Sequence, residues 1–184
     1  GSGKSSLIRK LMFEYKSSAL NYYSHFYPSL NEKIKDNFIY PYSKKPYSFI
    51  ISNLKVIYIF IKIFFNFLLI LLKSRKGKTI IWCDRYLYDI FADPLRYRLK
   101  NIIFKPEFIK KFSIKPNIIF ILNPPIEVIL KRSSELSYKE LKNQRKSYDK
   151  LINYFPNSVL FKKNYSIEKL SEICKFHINS FIKD

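Results

Sequence analysis

Gly1-Ser2-Gly3-Lys4-Ser5-Ser6 fills the closing places of the pattern G-x-x-x-x-G-K-[ST]. In that pattern, backbone amides of a glycine-bearing loop surround phosphate oxygens. The lysine reaches the β- and γ-phosphates, and the hydroxyl that follows is a magnesium ligand. Gly1, Ser2, Gly3, Lys4, Ser5 and Ser6 are therefore the expected ATP-binding residues, with Ser5 also a metal ligand. The first glycine of the pattern and its feeding strand would precede Gly1. The sequence is accordingly expected to be N-terminally truncated and, taken alone, unstable and inactive.

A second group follows the apolar run Thr79-Ile80-Ile81-Trp82-Cys83, which ends in Asp84-Arg85-Tyr86. Open α/β sheets bind ligands at the carboxyl ends of their strands. A carboxylate there can organise magnesium or accept a proton, and an arginine can clamp phosphoryl oxygens in two places. The plainer reading is a strand-end ion pair. Asp89, Asp93, Arg96 and Arg98 follow within one short stretch, on the expected acceptor side. A third group is Arg132 and Arg145, which flank Ser133 to Gln144 within a lid-like segment of about 132–148 suited to closing over bound ATP. Lys139 and Lys142 in that segment are expected to face solvent as partners of Glu135 and Glu140.

These groups need elements to hold them. Leu7, Ile8, Leu11 and Met12 have helical spacing, so Lys4 and Ser5 should open a helix, whose N-terminus favours phosphate. Residues 21–48 read as an irregular connection. A long helix is expected over about 49–74, ended by Gly77. Thr79–Cys83 and Asn117–Leu122 read as buried parallel strands. A helix follows over about 126–134, and Ser137 with Glu140 forms a capping box opening another to about Tyr154. Val159–Phe161 is a short strand and Ile167–Ile182 an amphipathic helix. Strands alternating with helices predict an α/β fold with a parallel sheet, one domain over 1–184.

Composition narrows the partners. An apolar fraction of 47% in 184 residues excludes global disorder. Two isolated cysteines, Cys83 and Cys174, make neither a disulfide framework nor a zinc set, so a reducing, cytoplasmic setting is expected. The net charge of +20 could attract nucleic acid or anionic lipid. It also follows from a bias toward Lys, Ile, Asn, Phe and Tyr, and no specific nucleic-acid binding is expected. Val56–Leu72 is close to bilayer-spanning length, but Lys62 and Asn66 interrupt it. Flanking Lys55, Lys73, Arg75, Lys76 and Lys78 would suit an interfacial helix, but it is expected to be a buried helix, hydrophobic nearly all round, rather than a span.

With these pieces in order, the chain resembles the thymidylate kinase-like branch of P-loop nucleoside and nucleotide kinases. It is most similar to members encoded with bacterial surface-polysaccharide genes, which carry a stretch like D-R-Y-x-Y-D-x-x-x-D-P-x-R-Y-R. Asp84 to Arg98 matches that stretch. The resemblance implies a P-loop kinase fold and phosphoryl transfer from ATP with Mg2+ to a small-molecule acceptor, a nucleotide or nucleoside. Lys4, Asp84, Arg85, Arg132 and Arg145 would be catalytic, and Ser5 and Asp84 would serve the metal. Tyr86, Asp89, Asp93 and Arg96 would bind the acceptor. Thymidylate kinases themselves resemble D-R-Y-x-x-S-x-x-A-Y-Q here. Asp89 and Asp93-Pro94 replace the serine and Tyr-Gln, which argues against dTMP. Asn123 stands where an aspartate is expected, which weakens any role for it. The alternative is a non-catalytic nucleotide-binding protein that keeps the fold. A homodimer is an assembly the sequence leaves open.

Overall fold

A computed structural model describes residues 3–24, 45–73, 78–132 and 136–182. The architecture is mixed α/β with short parallel strand pairs. Gly1, Ser2, Gly77 and Glu135 lie outside the described residues. Two compact units emerge, Tyr15–Ile114 and a second made of Gly1–Glu14 with Lys115–Asp184.

In the unit Tyr15–Ile114, β1 (Leu20–Ser24) pairs in parallel with β2 (Thr79–Cys83), with Tyr22 opposite Ile81 and Ser24 opposite Cys83. β1 falls where an irregular connection was expected, and this is a correction. Leu-Asn-Tyr-Tyr-Ser lacks β-branched residues and clean alternation. The partner strand stabilises it instead, and Trp82 Nε1 donates to Asn21 Oδ1 at 2.6 Å across the pair.

The long helix is present as α2 (Phe49–Lys73), but its burial corrects the expectation. Val56, Ile59, Ile63 and Ile70 are buried along one stripe. The opposite side is open, with Ile50, Leu54 and Phe65 more than half exposed. The polar residues at its start do the tethering. Ser52 Oγ donates to Tyr47 O and accepts from Lys100 N, and Asn53 Oδ1 accepts from Ile103 N. Lys55 Nζ donates to Tyr97 O at 2.9 Å. So α2 holds the stretch 97–103 that follows the Asp84–Arg98 motif. That motif folds as α3 (Asp89–Ala92) and a 3₁₀ turn over Pro94–Tyr97, and α4 (Pro106–Phe112) completes the unit.

In the other unit, α1 (Lys4–Glu14) packs on α7 (Ile167–Ile182) through buried Leu7, Leu11, Cys174 and Ile178. Glu14 fixes the register by accepting from Ser171 Oγ at 3.0 Å and pairing with Lys175 at 3.2 Å. Burial raises the Glu14 pKa, but the Ser171 and Lys175 contacts outweigh it and hold it below the ordinary value. β3 (Ile119–Leu122) pairs in parallel with β4 (Ser158–Phe161), and α5 (Ile126–Arg132) and α6 (Tyr138–Leu151) connect them. Both halves of the capping box form. Glu140 N donates to Ser137 Oγ, and Ser137 N donates to Glu140 Oε2 at 2.8 Å. Such a cap contributes about 1 kcal/mol.

Candidate active site

The strand ends of the unit Tyr15–Ile114 carry the densest chemistry. Asp84 follows β2 directly, is 3% exposed, and donates its backbone N–H to Ser24 O at 2.8 Å. Tyr23 Oη donates to Asp84 Oδ2 at 3.3 Å, so the neighbouring strand fixes this carboxylate. Ser24 closes β1 beside it. The Ser24 hydroxyl is buried and has no hydrogen-bond partner among the described residues. A buried polar atom without a partner costs about 1–3 kcal/mol unless a ligand or water satisfies it.

Arg85 adopts φ +112°, a backbone conformation that favours glycine and that an arginine takes only at a cost of about 1–3 kcal/mol. The turn aims its guanidinium at Asp89, and Nη1 donates to Oδ2 at 2.8 Å with both side chains largely buried. Tyr97 Oη donates to the same Asp89 oxygen at 3.4 Å. Burial first, and the Asp89 charge next, push the Tyr97 hydroxyl well above the ordinary tyrosine value. It therefore stays a neutral donor. Asp93 is buried and paired with Arg96 Nε at 3.2 Å. Both aspartates that depart from the thymidylate kinase pattern thus have an arginine partner, which offsets the negative charge they add.

Tyr86 belongs to this motif but points to another task. Its Oη donates to Ile114 O at 2.6 Å, and its ring stacks edge-on against Tyr88. Burial drives its pKa far up, with the Cys83 and Tyr88 neighbours adding to the effect. It acts as a strut under the turn. Arg98 is likewise structural. Its Nε donates to Lys45 O, and its guanidinium lies 4.0 Å from the centre of the Tyr47 ring.

In the other unit, Gly3 has φ +83° and leads directly into α1, so Lys4 and Ser5 open that helix as expected. Arg145, on α6, donates from Nε to Asn123 Oδ1 at 3.0 Å and from Nη2 to Asn123 O at 3.4 Å. Asn123 is 3% exposed at the end of β3 and donates from Nδ2 to Asp149. Asn123 therefore anchors one of the two segment arginines. Arg132 is exposed at the end of α5, and Nη2 donates to Asn164 Oδ1 at 3.1 Å. Lys139 and Lys142 are exposed.

Sequence reasoning missed Ser24, Tyr23, Tyr97 and Asn123. Tyr97 sits eight residues from Asp89, and the other three are remote in sequence from their partners. Only the position of Asn123 at a strand end offered a signal.

No group of three or more His, Cys, Asp or Glu side chains suited to a metal occurs among the described residues. Magnesium commonly uses one or two protein oxygens together with waters and substrate phosphates. Ser5, in the unit of α1, and Asp84, in the unit Tyr15–Ile114, each carry an oxygen of that kind. No protein-family model matches the chain, and no curated protein sequence matches it.

Proposed function

We propose that this chain catalyses ATP- and Mg2+-dependent phosphoryl transfer to a small-molecule acceptor, a nucleotide or nucleoside, as a P-loop kinase similar to the thymidylate kinase branch. One observation carries the reading. Arg85 is held at φ +112° and locked to Asp89, directly after buried Asp84 at the carboxyl end of a parallel strand. Backbone strain persists only where the surroundings over-determine it, and it concentrates at ligand-handling positions. A strand-end ion pair of ordinary structural use does not require it.

The residues divide the work. Lys4, at the start of α1, meets the donor phosphates with a compact positive charge, and the amides of that first turn add partial positive charge. Ser5 and Asp84 would each offer an oxygen to magnesium, which would neutralise phosphate charge. Arg85 stabilises charge on the transferring group, with Asp89 setting the direction of its donor fork. Arg145 and Arg132 bring further positive charge, as a segment closing over ATP would. The Asp93–Arg96 pair and Asp89 face the acceptor, and their paired charges fit a hydroxyl-rich acceptor better than a bare carboxylate pocket would.

Isothermal titration with Mg-ATP tests the donor half. Full-length wild-type protein should bind in the micromolar-to-millimolar range common to such substrates, and Lys4→Ala should weaken binding about tenfold or more. Equal affinity in the two proteins would remove Lys4 from the site and the reading with it.

A further inference from the structure

The open side of α2 has no task in phosphoryl transfer. Ile50, Leu54, Ile57, Ile61, Phe65 and Leu68 are each 43% to 68% exposed. At about 100° per residue they fall within an arc of about 80°, opposite the buried stripe of Val56, Ile59, Ile63 and Ile70. The stripe they form is about 27 Å long at 1.5 Å per residue. Contiguous apolar surface of this extent marks an interaction site.

Charge identifies what covers it. From Asn37 to Cys83 the sequence has no Asp or Glu, while lysine and arginine recur throughout. At the N-terminal end of the stripe, exposed Lys45 and Lys100 line a cavity of about 400 Å³ with Tyr47 and Phe49. A second copy of the chain is a poor occupant. A two-fold contact sets each patch against itself, so the exposed Lys45 and Lys100 would meet like charge. The net charge of +20 on each copy adds to the repulsion. An anionic bilayer offers apolar depth for the stripe and phosphate for its rim.

A spanning orientation conflicts with the opposite face. That face is packed, and Ser52 and Asn53 hydrogen-bond the backbone of 100–103. Crossing the bilayer would draw this irregular backbone into hydrocarbon. Lying in the interfacial plane buries the apolar stripe and leaves the packed face with its unit.

We propose that α2 is an in-plane docking helix for an anionic phospholipid surface. The full chain should float with vesicles containing about one-third phosphatidylglycerol in phosphatidylcholine. It should bind pure phosphatidylcholine about tenfold or more weakly, and raising salt from about 0.1 M to about 0.5 M should release it. Ile61→Asn with Phe65→Asn should cut partitioning about tenfold or more at unchanged circular dichroism. Lys45→Glu with Lys100→Glu, both on the surface, should weaken it several-fold without touching the apolar stripe. Three results would each overturn the proposal. One is equal binding, or none, to the two vesicle types. Another is a lipid-independent dimer abolished by the Ile61/Phe65 variant. The last is protein that resists alkaline carbonate extraction, which would mean a span.

Discussion

Arg85→Ala is expected to lower kcat about 10³-fold or more with little change in KM for ATP. Arginines that meet the transferring phosphoryl group are worth about 10³–10⁵ in rate, because they act where charge is redistributed rather than where substrate is held. Arg85→Lys should not rescue it, since an ammonium cannot reproduce a planar fork oriented by Asp89. A loss of less than about threefold would separate Arg85 from the chemistry. Stability supplies a second, opposite readout. At ordinary sites glycine is less stable than alanine. At φ +112° the order should reverse, with Arg85→Gly more stable than Arg85→Ala by about 1 kcal/mol in chemical denaturation. Alanine at least as stable as glycine would show that the strain attributed to this position does not exist.

Asp89→Ala is expected to give the largest stability loss. It leaves the Arg85 guanidinium, whose side chain is 12% exposed, without its carboxylate, and it removes the acceptor of the Tyr97 hydroxyl. Breaking one side of a largely buried ion pair costs about 3–5 kcal/mol. Asp89→Asn keeps an oxygen for Tyr97 and should cost less, about 1–3 kcal/mol. Combining Arg85→Ala with Asp89→Ala removes both charges, so the double variant should be less destabilised than the sum of the two singles by about 1 kcal/mol or more. Full additivity, or a loss in Asp89→Ala below about 0.5 kcal/mol, would mean the pair is solvated and does not fix Arg85.

The effect should travel beyond the pair. Lys55 on α2 holds the carbonyl of Tyr97, Tyr97 holds Asp89, and Asp89 holds Arg85. The long helix thus bears on the strand-end site through three polar contacts within one unit, and each is a point where substitution loosens the guanidinium.

Much of this was legible in the sequence for local reasons. The capping box at Ser137 and Glu140 is a four-residue device and forms as written. The helical spacing of Leu7 and Leu11 buries those two residues against α7. The run ending in Asp84-Arg85 forms a strand and stops at the residues with polar work to do. What escaped was non-local. β1 exists because β2 supplies its hydrogen bonds, and five residues without β-branching give no independent signal. Asn123 gained its partner from α6, more than twenty residues away. The burial of α2 was misjudged because periodicity vanishes when nearly every position is apolar. A helix apolar on all sides looks the same in sequence whether it is enclosed or has one side open. The strain at Arg85 has no sequence signature, since nothing in the residue type forecasts a positive φ.

Phosphoryl transfer is followed directly with γ-labelled ATP. With magnesium and a panel of nucleosides and nucleoside monophosphates, full-length wild-type protein should place the label on at least one acceptor. Lys4→Ala should do so about 10²–10³-fold more slowly. Undiminished labelling by Lys4→Ala, or an unlabelled panel from protein that binds Mg-ATP, would contradict the account.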